Sequence, residues 1–160
     1  MSNQIVRNYI LQIQRAFQGD NWLDENFDKK LELINEQNAF QKPADDLHSI
    51  AEIVSHIIEW RKELLERLEA GRPPKLKMES PNNWIPNSLL KTSGWSSLLL
   101  ELRVTQTLII TFLEKKDDAF LSQEWLGGES YGFLVAGWLE HDLYHLGQIG
   151  LIYKMVTRAA

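Results

Sequence analysis

The 160-residue chain contains no cysteine. That absence removes disulfides, thiolate metal sites, iron–sulfur clusters and cysteine nucleophiles together. It also removes the usual sequence clue to redox compartment. Glycine and proline are scarce, at nine and five, which is too few turn-formers for an all-β fold. Long basic runs are missing and the net charge is −5. A nucleic-acid footprint should be basic, so the expectation is a protein with no nucleic-acid partner. Apolar runs of the ~18 residues that cross a bilayer are also missing. Met1-Ser2-Asn3-Gln4 has no basic stretch leading into an apolar one, so no signal peptide, no membrane partner and a cytoplasmic location are expected. What remains is 44% hydrophobic and 24% charged, an ordinary globular composition. The length suggests one domain spanning residues 1–160.

The apolar spacing is helical. Across residues 2–17, Ile5, Val6, Tyr9, Ile10, Ile13, Ala16 and Phe17 recur at three- and four-residue steps and share a face. A short extra segment, 24–35, carries a narrow stripe of Leu23, Phe27, Leu31 and Ile34. A second long helix is expected over 46–70, where Ser49-Ile50-Ala51-Glu52 fits a capping box and Ile53, Ile57, Trp60, Leu64 and Leu68 form the buried stripe. Gly71 and Pro73-Pro74 stop it. Its charged stretch Arg61-Lys62-Glu63 and Glu66-Arg67 reads as a solvated face. Residues 71–92 form a connection longer than is usual in compact domains. It reads either as a loop anchored by Trp84 or as a lid over a pocket. A third long helix is expected over 93–116, with Trp95, Leu98, Leu99, Leu102, Leu108, Ile109, Phe112 and Leu113 buried. A Gly127-Gly128 connection over 117–130 leads to a last helix over 131–156. Apolar residues nearly encircle that helix, which suits the centre of a bundle. The expected architecture is an all-α four-helix bundle with one short extra helical segment.

The last helix holds His141-Asp142-Leu143-Tyr144-His145. Two imidazoles four apart stand one turn from each other and can grip one divalent cation. Four histidines scattered over this length would give roughly 0.1 such pairs by chance. Crowding two imidazoles in an apolar setting disfavours protonation and favours the neutral, ligating form. Asp142 turns about 80° from the midline of the pair, so it reads as a supporting or surface group. No carboxylate follows Asp142 and no histidine follows His145, so a third ligand must come from earlier in the chain. His56, at the edge of the second helix's buried stripe, is favoured over His48, which stands near the helix start. Gln148 lies one turn beyond His145, and Glu52 one turn before His56. Both are candidate catalytic residues. Glu52 can instead ligate, support a ligand histidine, or serve only in the capping box. Tyr144 and Trp60 read as core.

These residues resemble the DinB/YfiT superfamily of metal-binding four-helix bundles. The resemblance is carried by His141-Asp142-Leu143-Tyr144-His145-Leu146-Gly147-Gln148-Ile149, similar to the family's His-x-x-x-His-x-Gly-Gln block. It is also carried by the stretch from Ser49 to Arg61, similar to the family's block with a single ligand histidine. It extends over roughly residues 2–157. The resemblance implies that His56, His141 and His145 ligate a divalent metal ion, zinc or nickel, with an open position for water or substrate. It implies a homodimer, and it does not imply DNA binding. Family members include S-transferases that use low-molecular-weight thiols; others are described only as metal-dependent hydrolases. Three neutral histidines and an open position suit a catalytic centre. The expected function is therefore a metal-dependent thiol S-transferase acting on small electrophiles. The alternatives are a metal-dependent hydrolase and a non-catalytic dimeric bundle.

Overall fold

The computed structural model describes residues 3–158 and is all-α, with no strand among those residues. Helix α1 (Gln4–Phe17) buries Val6, Ile13, Ala16 and Phe17 on one face. Residue 2, its expected first residue, lies outside the described residues. The expected short segment is instead two helices, α2 (Phe27–Leu31) and α3 (Glu36–Ala39), each opened by an asparagine whose side chain accepts backbone N–H groups. Asn35 resets the chain to an extended conformation between them, and this splits the stripe. Phe27, Leu31 and Ile34 are buried, while Leu23 is exposed.

Helix α4 (Ile50–Ala70) begins where the Ser49–Glu52 capping box closes and ends at Gly71, whose φ of 60° is the left-handed conformation glycine tolerates. The loop then carries one short helix, α5 (Asn87–Leu90), before α6 (Trp95–Leu113). Helix α7 (Asp118–Ser122) caps α1 from outside: its Asp118 carboxylate accepts the free N–H groups of Gln4, Ile5 and Val6 at 2.9–3.1 Å. A short 3-10 turn (Leu126–Gly128) precedes α8 (Tyr131–Arg158).

The four long helices are α1, α4, α6 and α8. Helix α4 packs against α6 and α8, and α1 meets the same two, so α1 and α4 occupy opposite corners. The most enclosed helix is α4: every residue from 50 to 58 is buried. This corrects the expectation that the last helix is the central one. Phe133, Tyr144, Leu151 and Met155 of α8 are exposed, so its apolar circumference faces solvent in part.

The reading of Arg61 and Glu63 as solvated also fails. Arg61 is 1% exposed. Its guanidinium donates to Asp142 Oδ2 at 3.0 and 2.6 Å and to the Leu102 carbonyl at 3.2 Å. It lies 5.5–5.6 Å from the rings of Phe17, Phe27 and Trp138, so it joins the two apolar clusters of the core. Glu63 is buried too, and accepts from Arg67, Arg72 and the backbone of Lys75. Burial pushes its carboxyl up, but those donors outweigh it and hold the group near a pKa of about 2.

Helix α6 is long and apolar enough, by length and composition, to cross a membrane, contrary to the reading that no apolar run is long enough. It packs along α4, with Leu98, Leu102 and Ile109 buried. Leu100, Val104 and Leu108 form its exposed outer stripe, so Leu108 is not buried as expected.

Candidate metal centre

His56 stands in the second half of the fully buried run of α4, and His141 and His145 stand one turn apart on α8. Because α4 and α8 pack together, their imidazoles converge. One ring nitrogen from each of the three lies within 4.8 Å of the others, and His56 Nε2 is 3.1 Å from His141 Nε2.

Hydrogen bonds assign the protons. His56 Nδ1 is 2.8 Å from the Asn83 carbonyl, which can only accept. His145 Nδ1 is 2.6 Å from Gln148 Oε1, an acceptor as placed. Both rings therefore carry their proton on Nδ1 and present Nε2 as a lone pair. Burial, above all, drives the pKa of both down to about 4, with neighbouring imidazoles adding to the effect. These two rings are therefore neutral at ordinary pH and each offers an Nε2 lone pair.

His141 completes the test of fit. Its Nδ1 is buried without a hydrogen bond, and so is Asp142 Oδ1, 3.8 Å away. With Nε2–H donating to His56, His141 points a lone pair at a carboxylate oxygen. With the proton on Nδ1, a donor faces that oxygen and a third Nε2 lone pair joins the other two. The residues thus suit a borderline-soft divalent cation that takes imidazole ligands.

The long loop supports the site. Asn83, 1% exposed, fixes His56 through its carbonyl, accepts from Trp60 Nε1 at 2.9 Å and donates to the Met78 carbonyl at 2.9 Å. Trp84 stacks on His56 at 4.0 Å and on His48 at 3.7 Å, nearly parallel to both. Two rings that close to one centroid must take opposite faces. Trp84 therefore separates His48 from the triad, anchors the loop and walls the pocket in one placement.

The triad borders a cavity of about 600 Å³ whose other walls include Ile53, Trp60, Met78, Trp84 and Tyr144. Gln148 lines it. Glu52 does not. Its carboxylate accepts from the Ser49 and Asn87 backbones and meets Lys42 and His48 at 3.2 and 3.3 Å. The capping role takes it, and its pKa is lowered although burial alone would raise it. Asp142 is not at the surface but inside, paired with Arg61. Tyr144, read as core, is 64% exposed at the cavity mouth. Sequence reasoning missed Asn83 and Arg61. The only signals were the loop's length and Trp84 beside Asn83.

Fold and site together define a helical bundle with a histidine cluster bridging two of its long helices. A model of the DinB superfamily matches residues 21–149, and the chain belongs to that superfamily. Among solved structures it is similar to the colibactin self-resistance protein ClbS, determined in complex with a dsDNA. The two share 16% identity at a TM-score of 0.61, over 94% of this chain and 92% of that one. No curated protein matches the chain. The ClbS complex corrects the partner expectation: a protein of this fold has been solved on duplex DNA, so nucleic acid is not excluded here. Net charge averages over the whole surface, whereas a duplex meets one local patch.

Proposed function

We propose that His56, His141 and His145 hold a divalent cation, zinc or nickel, and that the protein is an S-transferase joining a low-molecular-weight thiol to a small electrophile. The observation that supports this reading best is the convergence of three imidazoles, two of them held neutral, beside a cavity lined by no carboxylate among the described residues. Hydrolysis usually draws on a positioned general base, and Glu52, the carboxylate expected to serve as one, is committed to the helix cap. A bound thiol needs no such base, because a divalent cation supplies Lewis-acid activation that favours the thiolate.

The chain's own groups orient and shield. Asn83 and Gln148 hold the rings of His56 and His145 with Nε2 inward. Asp142, paired with Arg61, faces His141. Trp60 and Ile53 keep an apolar wall beside the electrophile, which limits competing water. In the reaction the thiol proton passes to solvent through the open mouth and sulfur bonds to the electrophilic carbon. The displaced group leaves with the electron pair of the broken bond.

The test is metal analysis of untagged protein, followed by low-molecular-weight thiols offered with a chromogenic electrophile. About one equivalent of metal is expected, lost in His56→Ala and His141→Ala, with turnover that requires thiol. Metal content unchanged in both variants removes the site. Thiol-independent turnover assigns hydrolysis instead. A duplex-DNA mobility-shift arm belongs in the same experiment, since ClbS was solved with dsDNA.

A further inference from the structure

The cavity beside the triad is almost free of charge. Lysine, arginine, aspartate and glutamate are absent from its lining among the described residues, and its polar atoms come mainly from the imidazoles and Gln148. Its mouth is apolar as well. Leu47, Met78, Tyr144, Leu151 and Met155 line it and are 39–69% exposed. Isolated exposed apolar residues need no explanation, but five around one opening do. Methionine thioethers are adaptable contacts for irregular apolar ligands. A carboxylate or sulfonate entering here would lose its hydration and find no lysine or arginine side chain to pair with.

We infer that this cavity binds an uncharged, predominantly apolar small molecule, which reaches the three imidazoles through a single polar or electrophilic atom. The inference rests on the S-transferase reading only in identifying this occupant as the electrophile. The thiol, if it carries charged groups, must leave them outside the mouth.

The probes are neutral 1-anilinonaphthalene and its 8-sulfonate, which share an aromatic frame and differ in charge. Binding to metal-free full-length protein is read by probe fluorescence. The neutral probe is expected to bind at one site, with the sulfonate at least about tenfold weaker. Leu151→Lys places a cation at the mouth on a solvent-facing position of α8. It is expected to narrow that ratio about tenfold with helical content unchanged by circular dichroism. Equal affinities for the two probes in the native protein overturn the inference. So does a ratio unaffected by Leu151→Lys, which places the probes elsewhere. Zinc titration of the same preparation is scored separately. Probe selectivity without zinc binding keeps this inference and removes the metal reading, and zinc binding without selectivity does the reverse.

Discussion

At the residue scale, the buried pair of Arg61 and Asp142 carries structural and site roles at once. Asp142 Oδ2 neutralises the guanidinium and Oδ1 is left for His141. Asp142→Leu strands a buried cation and is expected to cost about 3–5 kcal/mol, recovered in large part by adding Arg61→Met. Urea unfolding of the single and double variants measures this, and equal losses in both would show that the pair does not act as a unit. The histidines set a second expectation. His56 and His145 titrate near 4 in the folded state against 6.5 unfolded. Between those values the unfolded chain takes up more protons. The stability these two groups contribute is therefore complete above pH 6.5 and is lost as pH falls towards 4. Thermal midpoints of metal-free protein should decline across that window. Glu63 acts below it, losing its contribution as pH falls from 4.5 towards 2.

At the element scale, α4 does most of the positioning. Its start is set by reciprocal bonds between Ser49 and Glu52, and Ser49 Oγ also donates to Asn87 at the start of α5. Ser49→Ala is expected to lower stability by about 1 kcal/mol, seen as a lower thermal midpoint. The cap was legible from Ser-x-x-Glu spacing because it is local. The burial of Arg61 and Glu63 was not. Charges at one- to four-residue steps look the same on a solvated face as on one that meets its counter-ions inside. Arg61's partner lies 81 residues away on α8, and Glu63 is met by Arg72 and Lys75 beyond the helix end. For the same reason the apolar count favoured α8 as the central helix, whereas α4, with Arg61 and Glu63 paired inside, is more enclosed.

At the scale of the whole molecule, the loop over residues 71–92 and the helical pair form one device. Glu63 ties the loop's start to α4, Asn83 fixes His56, and Trp84 is stacked between two imidazoles. An ion that fixes the His56 ring also fixes the carbonyl that ring donates to. Zinc is expected to slow amide hydrogen exchange over residues 78–85 at least severalfold beyond its effect on α1. Uniform protection would indicate global stabilisation only.

The sequence by itself determined the helical class, the capping box and glycine stop of α4, and the pairing of His141 with His145, because each depends on groups within about one turn of one another. With the Ser49–Arg61 block it also pointed to His56. Tertiary structure decided what those groups face. It joined α4 to α8 so that three imidazoles share one space, and drew Glu52 to the cap and away from the cavity. It put Arg61 and Asp142 inside and left Tyr144 at the mouth. Burial and partner choice are set by packing between distant segments, and local periodicity does not record which segment arrives.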